Sequence, residues 1–140
     1  MFTERELAWA AGLFEGEGTI RINKATSRNY GHVMVSVTNT DPEVLEFFQA
    51  RWPAYMKKVW TRPDQRDAWA WVTAARKAMA FLDAIEPYIV TARVRNKLQV
   101  ARQFQALKST PIRERLEDYY EQGFNLYLWM RELNVRGVAA

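Results

Sequence analysis

The chain has 140 residues, 49% of them hydrophobic and 26% charged, with a formal net charge of +4. That length suits one compact domain and excludes two full ones. There is no cysteine and one histidine, His32, which excludes disulfides and cysteine-based zinc sites and argues against a histidine metal site or a Ser/His/Asp triad. Any metal would then be a hard cation such as Mg²⁺ or Mn²⁺, held by carboxylates and water.

The opening stretch, MFTERELAWA, lacks an apolar core behind a basic flank, so it does not read as a signal peptide. No apolar run approaches membrane length. The expectation is an intracellular protein with no membrane partner. Its positive charge suits a polyanionic partner, and is equally compatible with a mildly basic protein that has none.

In chain order, Thr3 and Glu6 form a possible capping box, opening a helix through Leu7, Ala10, Ala11 and Leu13 that stops near Gly16-Glu17-Gly18. TIRIN (19 to 23) alternates polar and apolar residues, as a strand does, and so does His32 to Thr38 after a turn-like TSRNYG. Asp41-Pro42 starts a second helix, with Val44, Phe47 and Phe48 as its apolar stripe and Pro53 beyond its end. Strands over roughly Tyr55 to Arg62 and Ala68 to Thr73 flank a turn at Pro63 to Asp67. Met79, Leu82 and Ile85 mark a helix that ends near Pro87.

Residues 91 to 108 read as a helix with Val94, Leu98, Ala101 and Phe104 on one face. It carries Arg93, Arg95, Lys97, Arg102 and Lys108 and no acid, so it is either a phosphate-contacting surface or a solvated face. A last helix from about Pro111 puts Leu116, Tyr120, Tyr127 and Met130 on one side. The order of elements implies an α+β fold: one antiparallel sheet, helices on one face, the other face open.

The segment Ala10-Ala11-Gly12-Leu13-Phe14-Glu15-Gly16-Glu17-Gly18 carries the most chemistry. Gly12 and Gly16, with Ala8 and Ala11, leave a groove where a second helix backbone can approach closely. Glu15 and Glu17 stand at the C-terminal end of that helix. Two such helices side by side would bring their carboxylates to one point, where divalent cations can serve phosphodiester chemistry. The residues alone also fit a core helix with small side chains and a glycine stop.

LAWAAGLFEGEGTI resembles the LAGLIDADG motif and the strand that follows it, with Ala10 for the leading Leu and Glu for Asp at both acidic positions. VSVTNTDPEVLEFF is similar to that family's second strand and next helix, and WVTAARKAMAFLDAIEPYI to its fourth strand and next helix. The resemblance covers about residues 3 to 105, in family order and spacing. It implies the αββαββα LAGLIDADG fold over residues 1–108, with 109–140 as a C-terminal helical extension packed on the same domain. Two copies would meet through the motif helices, forming an antiparallel sheet saddle over double-stranded DNA. One motif copy implies a homodimer, with Ala8, Ala11, Gly12, Glu15 and Gly16 at the interface.

By the same resemblance Glu17 is the metal ligand, with Gly16 beside it, and Glu15 supports the helix end or the interface. Asn39 falls where the family often places a polar residue near the attacking water, although an Asn capping the next helix fits as well. The family usually places a Lys five residues after the Pro matched by Pro87. Here that position is Ala92, leaving its neighbour Arg93 as the candidate basic catalytic group.

The first strand puts Thr19, Arg21 and Asn23 on one face, and the second puts His32, Met34, Ser36 and Thr38 on one face. In a major groove, Arg can pair bidentately with guanine and Asn with adenine. The bland alternative is a solvated sheet face. Lys57, Lys58 and Arg62 add positive charge around the third strand, with the register of the two lysines left open. The resemblance implies a Mg²⁺-dependent endonuclease that cleaves both strands of a long, nearly palindromic site. The alternatives are a nuclease-dead DNA-binding regulator and an RNA-binding intron maturase.

Overall fold

A computed structural model describes residues 2–24, 30–59, 62–64 and 66–135. Helix α1 spans Glu4–Glu17, followed by strands β1 (Gly18–Lys24) and β2 (Tyr30–Asn39), helix α2 (Pro42–Arg51), strands β3 (Tyr55–Val59) and β4 (Ala68–Ala74), and helix α3 (Ala75–Ile85). A short 3-10 turn at Glu86–Tyr88 leads into α4 (Ala92–Lys108), and another at Ile112–Glu114 precedes α5 (Glu117–Leu133). The four strands form one antiparallel sheet in the order β1-β2-β4-β3.

Local chemistry sets the helix starts. The Thr3 hydroxyl accepts the Glu6 N–H and the Glu6 carboxylate accepts the Thr3 N–H, so the capping box closes in both directions. Glu6 also pairs with Arg51 at the end of α2, and the Arg51 guanidinium lies 3.7 Å from the centre of the Phe47 ring. Asp41 caps α2 by accepting the Glu43 N–H at 3.0 Å, with Pro42 in the first turn. At the other end of α1 the chain turns straight into β1. A Cβ on Gly18 would lie 2.1 Å from Cδ1 of Phe14, so close packing rather than a special dihedral angle requires glycine there.

The strands alternate as expected. Ile20, Ile22, Val33, Val35, Val37 and Trp71 are buried under the helices. Phe48, Trp52, Trp71 and Phe81 interlock, with ring centroids 4.8 to 6.2 Å apart. Indole Nε1 of Trp71 donates to the Trp52 carbonyl at 2.9 Å, so the largest buried side chain leaves no unmet donor. Trp69 is half-buried on the same side, and Trp60 lies outside the described residues. Each fully buried Phe or Leu of this core contributes about 1.5–3 kcal/mol.

Three expectations shift. The third strand ends at Val59 within the described residues, leaving Arg62 beyond it. The last helix begins at Glu117, not Pro111, because residues 112–114 form the 3-10 turn. Its buried positions are therefore Tyr119, Gly123 and Met130, whereas Leu116 (72%) and Tyr120 (39%) are exposed. The helix α5 packs on α4 and β1. Among the described residues no helix is long and apolar enough to cross a membrane.

Candidate functional site

The turn from α1 into β1 places Glu17 at the head of the sheet. Glu17 is exposed and lines an open depression with Thr19, Thr38, Asn39, Thr40 and Ala68. Its carboxylate makes no hydrogen bond or ion pair among the described residues, unlike that of Glu15 two positions earlier. Glu17 and Asn39, far apart in sequence, are thus brought to one hollow. Asn39 ends β2, paired with Trp69, and its Oδ1 accepts the Asp41 N–H at 2.8 Å. That acceptor is committed to the turn before α2, and the amide nitrogen is the group left for other partners. Thr38 and Thr40 share the hollow, and the sequence reading gave them no role there.

The Glu15 carboxylate faces its own chain. It accepts the Val90 N–H at 3.2 Å, the Thr91 N–H at 2.8 Å and the Thr91 hydroxyl at 2.7 Å. Burial alone would raise its pKa, but the Thr91 hydroxyl and backbone, the Val90 N–H and the Arg95 charge outweigh burial and hold it below the usual carboxylate value. Of its two expected roles, helix-end support is the one visible: Glu15 ties α1 to the start of α4. Arg93 adds a second tie, donating from Nη2 to the Glu15 carbonyl at 3.3 Å. A cation at that carbonyl complements the negative end of the α1 dipole.

The outer face of α1 carries Ala8, Gly12 and Gly16, all exposed. A Cβ built on Gly12 or Gly16 meets nothing within 4 Å. Nothing among the described residues therefore requires glycine at either position. Ala11, expected beside them, is wholly buried in the core with Ala10 and Phe14 and is removed from that surface. At about 100° per residue it rotates inward while Ala8, Gly12 and Gly16 stay out. Trp9 takes a place on the outer face that the sequence reading missed, 45% exposed and edge-on to Phe47 at 4.5 Å.

The register fixes the open face of the sheet, since residues directly paired across strands share a side. Arg21 pairs with Met34, which pairs with Ala74. Thr19, Ser36, Val72 and Tyr55 form the next row, and Thr38, Ala70 and Lys57 the one after. Lys57 is thus on the open face. Lys58 pairs with Trp69 on the opposite side and bridges Asp67 at 3.2 Å, which corrects its place in the expected surface. His32 is exposed on β2, and its backbone N–H donates to Asn23 Oδ1 at 2.6 Å. The ladder shifts register between Ile22 and Lys24, and Asn23 fills that irregularity. One lone pair of the Asn23 oxygen is so occupied, which narrows but does not remove the donor and acceptor pair that bidentate adenine recognition needs.

The basic helix α4 is not an open basic surface. Arg102 bridges Asp83 at 2.7 Å and Glu86 at 2.8 Å. Arg95 donates to the carbonyls of Ile89 and Val90, and Lys108 to that of Tyr30. Lys97 is buried, and burial first, then the nearby Arg93 charge, holds its ammonium below the usual lysine value. Ala92 is exposed as the first residue of α4.

No protein-family model and no curated protein matches this sequence. Solved structures do. The archaeal intron-encoded homing endonuclease I-Vdi141I, complexed with DNA, superposes with a TM-score of 0.76 at 14% identity, over 96% of this chain and 87% of that one. The homing endonuclease I-CvuI in complex with its target, in the presence of calcium, gives 0.73 at 14% identity, over 97% and 87%. The LAGLIDADG homing endonuclease I-SmaMI bound to cleaved DNA gives 0.65 at 14% identity, over 96% of this chain and 45% of that one. The chain therefore has the α+β fold of the LAGLIDADG homing endonucleases. It spans nearly the whole of the first two and about half of I-SmaMI.

Proposed function

We propose that this chain is a site-specific DNA endonuclease that works as a homodimer. The observation that carries this reading is the placement of Glu17: an exposed carboxylate with no side-chain partner among the described residues, between an open sheet face bearing Arg21 and Lys57 and a helix face bearing Gly12 and Gly16. A glycine in mid-helix costs about 0.5–1 kcal/mol relative to alanine. Two such costs with no use among the described residues fit a use between chains, where a second α1 can approach backbone to backbone. The superposed proteins fit the same reading. This chain matches most of a protein of similar length and half of a longer one.

One chain offers half of a cation site. Among the described residues no three His, Cys, Asp or Glu side chains converge. The Glu17 carboxylate and the backbone carbonyl of Gly16, at a helix end whose last carbonyls lack helical partners, are a hard oxygen donor set. A second copy would double it. A divalent cation such as Mg²⁺ bound there would stabilise charge on the phosphate oxygens and activate water. The protein's own parts position the duplex: Arg21 and Lys57 neutralise phosphate or read bases from the open face, Asn39 offers an amide N–H₂ to water or phosphate in the hollow, and Arg93 supplies positive charge beside the helix end.

A second reading, specific DNA binding without cleavage, is favoured by one observation: the first residue of α4, Ala92, carries no charge, and Arg93 beside it is engaged with the Glu15 carbonyl. Glu17→Gln separates the two. A supercoiled plasmid library with random inserts, incubated with Mg²⁺ and protein, should yield linear products with the wild type and none with Glu17→Gln, while both proteins retain the same bound inserts. A Glu17→Gln protein that still cleaves removes Glu17 from the site, and a wild type that binds inserts without cutting any establishes the second reading.

A further inference from the structure

The open face of the sheet is not uniformly polar. On its third strand in spatial order, β4, only small apolar side chains point to that side: Ala68 and Ala70, which are buried, and Val72 and Ala74, which are half-buried. Met34 adjoins Ala74 on one side, and Tyr55 adjoins Val72 on the other. Tyr55, Val72 and Ala74 line a depression together with Gln49, Thr73 and Lys77. Cations of the same face, Arg21 and Lys57, flank this strip on both sides.

The β4 side chains of this face carry no donor or acceptor, although the Ser36 and Tyr55 hydroxyls lie beside Val72, so β4 itself is poorly suited to pairing with guanine or adenine edges, which need hydrogen-bonding partners. What a major groove offers to small apolar groups is the C5 methyl of thymine. Building on the DNA-binding reading above, we propose that the strip Met34, Ala74, Val72 and Tyr55 is a methyl-reading subsite. It recognises a pyrimidine carrying a C5 methyl at one position of each half-site, through burial of that methyl against Val72 and Ala74. Thymine satisfies it, and 5-methylcytosine presents the same group. The polar row of β1, led by Arg21, reads a different part of the half-site. Specificity is thereby divided between a hydrogen-bonding strand and an apolar one.

The test begins with selection of preferred duplexes from a random library by the wild-type protein. No enrichment would overturn the DNA-binding reading itself. Given an enriched duplex, thymine is expected at one symmetric pair of positions. Deoxyuridine there, which lacks only the methyl, should weaken binding about fourfold per methyl, hence about sixteenfold for the pair. Cytosine there should bind as weakly, and 5-methylcytosine should restore part of the loss. In Val72→Ser, on the open face and outside the core, the difference between thymine and deoxyuridine should largely vanish. Equal binding of the thymine and deoxyuridine duplexes by the wild type, or a penalty that persists undiminished in Val72→Ser, would overturn the methyl subsite and leave the DNA-binding reading intact.

Discussion

The Glu15 carboxylate accepts both the backbone N–H and the hydroxyl of Thr91, at 2.8 and 2.7 Å, and so fastens the end of α1 to the start of α4. The residue next to this clasp is Gly16, and Glu17 follows. The clasp thus anchors the helix end from which Glu17 projects.

Loss of the clasp should show as a pH-dependent stability difference. The folded-state pKa of Glu15 is lowered, so its contribution is present above the unfolded value of about 4.3 and is lost as pH falls through the folded value. Glu15→Ala, which leaves the Val90 and Thr91 N–H groups to solvent, should cost about 1–2 kcal/mol at pH 7. Thermal melts of the two proteins should converge in acid, as the pH falls through the lowered folded-state value of Glu15. A difference that stays constant from pH 7 to pH 3 would show that the Glu15 charge takes no part.

Gly12 provides a sign test for association. In a monomer, Gly12→Ala fills open space and removes a helix-breaking residue, so it should raise stability by about 0.5–1 kcal/mol. In a dimer packed through α1, the added methyl pushes the partner helix away. We expect the second outcome: wild type sedimenting as a dimer at micromolar concentration, weaker dimerisation in Gly12→Ala, and a monomer in Gly12→Leu. A Gly12→Ala protein that is more stable with unchanged sedimentation would place the interface elsewhere.

The junction between β4 and α3 carries the one positive φ of a non-glycine residue among those described, 54° at Ala75. Side chains other than glycine lose about 1–2 kcal/mol in that region. Glycine at 75 would relieve this at some cost in unfolded-chain entropy. Ala75→Gly should therefore be neutral to stabilising by up to about 1 kcal/mol, as read by urea unfolding. A loss of more than about 1 kcal/mol would mean that the Ala75 methyl supplies packing that outweighs its strain.

How much of this was legible beforehand follows how local each cause is. The capping box of Thr3 and Glu6 and the Asp41-Pro42 start are written within a few consecutive residues, and both helices begin where those residues indicate. The alternation in β1 and β2 separated the open face from the core before any partner strand was known. The sidedness of Lys57 and Lys58 was not legible, because it depends on how β3 registers against β4, and adjacent lysines give no periodic signal. The inward turn of Ala11 follows from helix phase, but phase needs a neighbour to define the core side, and alanine suits either. Glu15 and Thr91 lie 76 positions apart, so no local pattern announces their bond. That Asn23 also braces the irregularity in the β1–β2 ladder through its oxygen was not legible, because the bond reaches across to His32.

The last prediction concerns Ala92 and Arg93. A cation near a scissile phosphate stabilises charge that develops in the transition state. Ala92 has none to give. Arg93 has one, but its guanidinium donates to the Glu15 carbonyl, so reaching a phosphate competes with holding the α1 end. The other nearby cations are less available: Arg95 is committed to the Ile89 and Val90 carbonyls, and Lys97 is buried. The expected enzyme is a slow one. Ala92→Lys should raise the single-turnover cleavage rate about tenfold, equivalent to about 1.4 kcal/mol, with little change in DNA affinity. Arg93→Ala should lower the rate more than the affinity, and Ala92→Lys introduced into Arg93→Ala should recover it. Arg93→Lys distinguishes charge from bracing, because it keeps the cation but not the planar donor. If Ala92→Lys leaves the rate unchanged in both backgrounds, the start of α4 does not face the reacting phosphate. The catalytic charge would then have to come from the sheet face, where Lys57 shares a row with Thr38.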